Sequence, residues 1–325
     1  DQEARFRDSL AQRDDVEMGP RRRHHRKNPE TPLTLEESFR NESDTDWCSS
    51  ANRDWIAGHL SDCRKRPPHR IPLRIGGEEI EGGGSGELVG WDPARPGEEI
   101  YRVALADSEQ VDRALEIAVD ATGSWGRTGT RERARVISQA AQGLRDRRGP
   151  LIAVMVADGG KTVEEADVEI SEAIDFAEYY ARSLAPLETL SGVRLASRGP
   201  VVVTPPWNFP LAIPAGGVFA SLMAGSPVIL KPAPETPWVA WELARILWNS
   251  GVPDDALQYL LCPDDPVGSR LIADPRLDGV ILTGASTTAR LFLGLRPDLE
   301  LHGETGGKDA LIITAMADVD LAIQD

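Results

Sequence analysis

Four polar side chains fall where a catalytic apparatus could use them: Asn208 in "PPWNFPL", Lys231 in "ILKPAPETP", Thr283 in "VILTG" and Glu304 in "HGETGGKDALII". An amide held by neighbouring prolines, here Pro205, Pro206 and Pro210, can donate to an oxygen on which negative charge develops. The ammonium of Lys231 can reach ribose hydroxyls. Two glycines follow Thr305, so nothing blocks close approach to the Gly-rich turn expected around Glu304, whose carboxylate can activate water as a general base. Each residue also has an ordinary alternative: Asn208 as a turn former, Lys231 as a solvated cation, Glu304 as a surface acid before a tight turn. The histidines (His24, His25, His59, His69, His302) show no metal-ligand spacing, so no metal is expected and His302 receives no role.

The elements around these residues read as α/β. From Gly199 to Leu230 no residue is charged, a length that raises the question of a membrane span. Pro205, Pro206, Pro210, Pro214 and Pro227 argue instead for strand, loop, helix and second strand. Apolar runs then alternate with helical ones through "PVILKP", "PWVAWELARILWNS", "LQYLL", "DPVGSRLIA", "GVILTG", "TTARLFLG" and "ALIITA", as a parallel sheet with helical crossovers requires. Open parallel sheets bind ligands at the carboxyl ends of their strands, which is where Asn208, Lys231 and Thr283 fall. The G-x-G-x-x-G fingerprint is missing; the turn "GASTTAR" offers instead a helix N-terminus that can hold a pyrophosphate through backbone N–H groups, with Ser286 and Thr287 as plain caps otherwise.

Three amphipathic helices precede this region. Val111, Ala114, Leu115, Ala118 and Val119 recur at helical spacing behind a cap at Asp107 or Ser108; Val136, Ile137, Ala140 and Leu144 form a second stripe, and Val163, Ala166, Ile170, Ala173 and Ala177 a third. Earlier still, "HRIPLRIGGEEIEGGG" reads as strand, glycine turn and loop. Residues 1 to about 38 carry a basic run among prolines and read as a solvated linker or tail.

The 325 residues can bury a large core, and 41% hydrophobic with 27% charged residues is a globular composition. A formal net charge of -16 argues against nucleic acid as partner. Three cysteines, Cys48, Cys63 and Cys262, without a C-x-x-C pair support neither a disulfide framework nor a zinc site, and a reducing cytoplasm is the expected compartment. The start "DQEARFRDSL" carries no signal peptide and no Met, which reads as a fragment.

In order and spacing, "PPWNFPLAIPAGGVFASLMAGSPVILKPAPETP", "VILTGASTTAR" and "GETGGKDALI" resemble the signature blocks of the aldehyde dehydrogenase superfamily, with a likeness running from about Phe39 onward. Within it, "FRNESDTDWCSSANRDWI", "EAIDFAEYYA" and the "ETGG" block are similar to the glutamate semialdehyde (pyrroline-5-carboxylate) dehydrogenases, and to the second half of bifunctional proline utilisation A proteins. The opening "ARFRDSLAQRDDVEMGPRRRHHRK" is similar to the segment that joins an FAD-bearing proline dehydrogenase unit to this module in actinobacterial members.

The resemblance implies a Rossmann-like parallel sheet with N-terminal helices and a partial oligomerisation flap. Residues 39–325 would form the NAD-binding part of an aldehyde dehydrogenase domain whose catalytic part is missing. It implies NAD as cofactor with NADP left open, a small-molecule aldehyde as substrate, and a homo-oligomer when the protein is complete. Asn208 becomes the oxyanion amide and Glu304 the base for the deacylating water. The cofactor side comprises Thr204, Pro206, Trp207, Lys231, Glu235, Thr283, Gly284, Ala285, Thr305 and Gly306, with Lys231 on the adenosine ribose and Gly284 opening the pyrophosphate turn. Phe209 flanks the aldehyde, and Glu172 lines the substrate side.

The implied reaction is NAD-dependent oxidation of L-glutamate gamma-semialdehyde to L-glutamate through a cysteine thioester. Three departures stand out. Pro234 occupies the place of an acid that holds the ribose hydroxyls, with Glu235 following; Ala285 replaces a serine; and the family's cysteine, a few dozen residues after the base, is not among these residues. Cys262 precedes Glu304 and reads as a structural thiol, so this chain alone is expected to be inactive. Two rival readings are a non-catalytic nucleotide-binding scaffold and a reductase of the glutamyl phosphate type, against which the hydrolytic base argues.

Overall fold

The computed structural model describes residues 34–82, 84–192, 195–307 and 311–324, together with Glu3, Arg7 and Arg26. Most of the expected linker over residues 1–38 lies outside these. At Arg26 the basic run is not solvated: its backbone N–H donates to Asn52 and its guanidinium to Thr45 and the Ser43 carbonyl. Burial and the neighbouring Arg148 push that guanidinium down to about 10.

Helix α1 (Ser50–Arg64) opens the ordered body, followed by short strands β1 (His69–Ile71), β2 (Leu73–Ile75), β3 (Glu78–Ile80), β4 (Gly86–Trp91) and β5 (Glu99–Leu105). A helical layer comes next: α2 (Ser108–Ser124), α3 (Thr130–Asp146), α4 (Arg148–Gly159) and α5 (Val163–Glu188). Helix α2 starts at a reciprocal capping box of Asp107 with Gln110, and α5 at one of Thr162 with Glu165, each satisfying two otherwise orphaned donors. The expected stripes are buried except at Val163, which is partly buried at the start of α5, and at Val119, which is 39% exposed at the margin of the α2 stripe. Helices α1 and α4 lie in segments for which no helix was predicted from the sequence.

The second half alternates as β6 (Val201–Thr204), α6 (Ala212–Ala224), β7 (Val228–Leu230), α7 (Pro237–Asn249), β8 (Leu257–Tyr259), α8 (Ser269–Ala273), β9 (Gly279–Gly284), α9 (Ser286–Leu295), β10 (Leu301–Thr305) and α10 (Val319–Gln324). The charge-free stretch is thus strand, helix and strand, and among the described residues no helix is long and apolar enough to cross a membrane. Pro214 is accommodated in the first turn of α6, where its missing N–H costs no bond.

The main sheet has order β10-β9-β6-β7-β8-β2-β3. The first five strands, all from the segment after Gly199, run parallel as expected there, whereas β2 pairs antiparallel with both β8 and β3, so the complete sheet is mixed. A separate three-stranded sheet has order β1-β5-β4. Strand residues alternate between two cores: Val201, Val203, Val228 and Leu230 face α6 and α7, while Val202, Ile229, Val280 and Leu282 face α2 and α8. Burial on both faces explains why these runs are apolar at every position.

One strand was expected elsewhere. Of "ALIITA", Ala310 lies outside the described residues, and Leu311, Ile312 and Ile313 are exposed and form no strand. The terminal strand is instead "LHGET", so Glu304 is the penultimate residue of β10 rather than part of a turn. Pairing with the buried β9 overrides the weak strand propensity of that glycine-containing segment.

Candidate active site

Because β6, β7, β9 and β10 are parallel, their carboxyl ends share one edge, and the connections that leave this edge carry the polar residues. Thr204 ends β6 and its hydroxyl donates to the Ile281 carbonyl at 3.3 Å. Lys231 follows β7 directly. In register, Thr283 faces Glu304 and Gly284 faces Thr305, and the Gly306 N–H donates to the Gly284 carbonyl at 3.4 Å. Thus Thr283, Gly284, Glu304, Thr305 and Gly306 form one corner of the edge.

The remaining predicted residues fall in three clefts. A cleft of about 270 Å³ brings together Thr204, Lys231, Thr283 and Gly284 with Thr288 and Phe292 of α9. A second, of about 630 Å³, is shared by Asn208, Phe209, Trp207 and Glu172 with Lys161 and Glu169. The third, of about 680 Å³, holds Glu235 with Trp91 and Trp207, away from Lys231. Trp207 therefore separates the Asn208 and Glu235 clefts, while Pro206, half-buried, spaces Thr204 from Asn208 and lines none of them. Ala285 is the N-cap residue of α9 and supplies no capping side chain.

Asn208 is exposed, and among the described residues no hydrogen bond engages its amide. The backbone that presents it is nonetheless fixed. Glu169, whose side chain is 1% exposed, accepts from the Leu211 N–H at 2.6 Å and the Ala212 N–H at 3.0 Å, which caps α6 immediately after the Asn208 turn. Its other oxygen lies 2.6 Å from Lys161 Nζ, close in distance although poorly aligned as a hydrogen bond. Lys161 in turn sits 4.4 Å from the centroid of the Phe209 ring, a cation–π contact. Asp158 does the same for α7: its carboxylate accepts from the Val239 N–H at 3.1 Å and from the Tyr101 hydroxyl at 2.7 Å. Burial raises Asp158 to about 7 against the pull of those donors. Gly160 joins α4 to α5 with φ +67°, a left-handed turn that puts Asp158 and Glu169 on either side of Lys161.

Glu172 titrates above the usual carboxylate range, chiefly because it is half-buried, then because Glu169, Asp175 and Glu304 lie nearby. Glu304 is exposed and, among the described residues, its carboxylate makes no ion pair or hydrogen bond. The thiols stand apart: Cys262 is buried and pushed up to about 11 by desolvation, Cys63 rests against the Ala153 carbonyl at 3.6 Å, and Cys48 is exposed near the N-terminal segment. Among the described residues no cluster could hold a metal ion.

Asp158, Lys161, Glu169 and Asp264 were missed by sequence reasoning. Glu169 left a trace, since it sits at the apolar spacing between Ala166 and Ala173. Asp264, which reaches Lys231 Nζ at 3.1 Å across the first cleft, left none, because only the fold brings β7 and the β8–α8 loop together.

This edge joins a cleft of about 270 Å³ beside the N-terminus of α9, whose N-cap residue supplies no capping side chain, to an amide on a neighbouring turn that no hydrogen bond engages among the described residues. Residues 83–325 match the model of the aldehyde dehydrogenase family, and the chain belongs to that family. Over 306 residues the chain is 34% identical to a 1-pyrroline-5-carboxylate dehydrogenase of Geobacillus kaustophilus, covering 88% of this chain and 59% of that protein. The 1-pyrroline-5-carboxylate dehydrogenase from Thermus with bound NAD superposes with a TM-score of 0.79 at 31% identity, over 89% of this chain and 59% of that one. Proline utilization A from Corynebacterium freiburgense superposes with a TM-score of 0.70 at 36% identity, over 100% of this chain and 28% of that one. The chain therefore spans about three fifths of the length of the single-function relatives it matches.

Proposed function

We propose that the whole protein oxidises L-glutamate gamma-semialdehyde to L-glutamate with NAD, and that this chain contributes the nucleotide platform, the oxyanion amide and the hydrolytic base. One observation carries the reading: a free, rigidly mounted Asn208 amide shares a sheet edge with the Glu304 carboxylate and the uncapped N-terminus of α9. The relatives named above support it.

The cleft beside β7 and β9 fits a dinucleotide. Lys231 would meet ribose hydroxyls, and the Gly284–Ala285 turn with the first N–H groups of α9 would meet the pyrophosphate. Glu169 and Asp158 already occupy the corresponding N–H groups of α6 and α7, which leaves α9 for the anion. When bound, the dinucleotide accepts a hydride from the substrate carbon.

The chain's own residues then divide the work. Asn208 donates to the aldehyde oxygen as it gains negative charge, and Phe209 with Trp207 keeps water from the reacting carbon. Glu304 takes a proton from the water that releases the acid product. Glu172, with Glu164 and Glu165 on the same cleft, gives an acidic wall suited to the ammonium group of an amino-acid aldehyde. None of the three cysteines shares a cleft with Asn208, so the thiol of this chemistry belongs to sequence outside these residues. The match of the whole chain to a proline utilization A supports residues 1–38 as the connection to an upstream FAD-bearing unit. Self-association of the complete protein belongs to the same proposal.

Replacing Asn208 by Ala in the full-length enzyme is expected to lower kcat about 100-fold while leaving the Kd for NAD within about twofold. An unchanged kcat would remove Asn208 from the mechanism. Residues 1–325 alone are expected to bind NAD without forming NADH from the aldehyde; turnover by that chain would contradict the division of labour.

A further inference from the structure

We infer that Asp264, not Glu235, is the residue that makes this site prefer NAD over NADP. The inference rests on the dinucleotide reading of the cleft beside Lys231. Its starting point is the turn after β7: Pro234 lines the cleft beside Lys231, whereas the acid that follows it, Glu235, lines a different cleft with Trp91 and Trp207. Pro234 itself lines the Lys231 cleft and offers no acceptor on its side chain.

An acid nonetheless reaches that cleft from another part of the chain. Asp264, at the start of the loop between β8 and α8, lines it and places Oδ1 3.1 Å from Lys231 Nζ. The two side chains differ in exposure: Lys231 is 12% exposed and Asp264 is 88% exposed, so the ammonium forms the floor and the carboxylate the rim. Among the cleft-lining residues these are the only two charged groups.

A carboxylate beside an ammonium presents an acceptor and a donor to a vicinal diol, which is what a ribose with free 2′- and 3′-hydroxyls offers. A 2′-phosphate would meet the same carboxylate as a like charge and be turned away, although Lys231 alone would welcome it. The discrimination therefore comes from Asp264 acting against Lys231.

The test is a calorimetric titration of the full-length protein with NAD and with NADP, which needs no turnover. The unsubstituted protein is expected to bind NAD at least about tenfold more tightly than NADP, and Asp264→Asn to lower that ratio about tenfold, mainly by tightening NADP. In a Lys231→Met background the same substitution should change the ratio less, because the attraction it uncovers is gone. Glu235→Gln should leave the ratio within about twofold. An unchanged ratio in Asp264→Asn, or a shift produced by Glu235→Gln instead, overturns the inference. Failure of the unsubstituted protein to bind either nucleotide would instead strike the dinucleotide reading beneath it.

Discussion

Among the helices that begin at this sheet edge, three are treated in opposite ways. The first N–H groups of α6 and α7 are met by buried carboxylates from the helical layer, Glu169 and Asp158, whereas α9 starts at Ala285 with no side chain on its donors among the described residues. A helix N-terminus attracts an anion through unpaired N–H groups and the helix dipole. The chain has thus saturated two such sites with its own charge and left the third open. The turns that precede the capped helices, which carry Asn208 and Pro234, gain rigidity; the turn before α9 keeps its capacity to bind. The contrast separates positioning from recognition along one edge.

The largest expected effect comes from the charge of Asp158. Its folded-state value of about 7 lies above the ordinary aspartate value of 3.8, so between those pH values the unfolded chain has lost a proton that the folded chain retains. Stability must therefore fall as pH rises from about 4 to about 7, by up to about 4 kcal/mol from this group. Asp158→Asn, followed by urea unfolding at a series of pH values, should flatten the curve across that window; parallel curves would remove Asp158 as its source.

Making α6 resemble α9 is the next test. Glu169→Ala leaves two buried N–H groups and Lys161 without their partner, with an expected loss of about 3 kcal/mol in unfolding free energy. A loss below about 0.5 kcal/mol would mean that the cap is decorative. The converse experiment, Ala285→Asp, gives α9 a carboxylate of its own and should weaken NAD binding about 100-fold, worth about 2.7 kcal/mol, while the helix itself is stabilised. Equal affinity in titration would show that the nucleotide does not use that terminus. Lys231→Met sharpens the comparison least: loss of its contact to ribose should raise the Kd for NAD about fivefold, and a larger effect would point to a role on the phosphates.

How much of this was legible in the sequence follows from where each signal resides. Asn208, Lys231 and Thr283 were placed at or just after strand ends because the apolar run of each strand is a local property. The cap read at Asp107 or Ser108 is local as well, and falls on Asp107. The failures share one physical origin, namely that pairing partners are chosen by the fold. Leu311 to Ile313 have strand-like side chains but no neighbour to pair with among the described residues, while "LHGET" has β9. Glu169 and Asp158 look like solvated charges until the helices that need them are packed alongside. Glu235, expected near Lys231, lines another cleft, and Asp264, for which nothing was expected, reaches Lys231 from a loop distant in sequence.

Among the described residues, strand β10 lies at the end of the sheet and pairs with β9 alone, and Glu304 is its next-to-last residue. A margin with one neighbour opens by local fluctuation more readily than strands paired on both sides. In a hydrogen-exchange experiment the amides of β10 should accordingly lose protection before those of β6 and β7. On the function proposed above, the cleft beside Lys231 would then persist through excursions in which the Glu304 carboxylate is briefly displaced, so that the two ends of the edge differ in lifetime as well as in place.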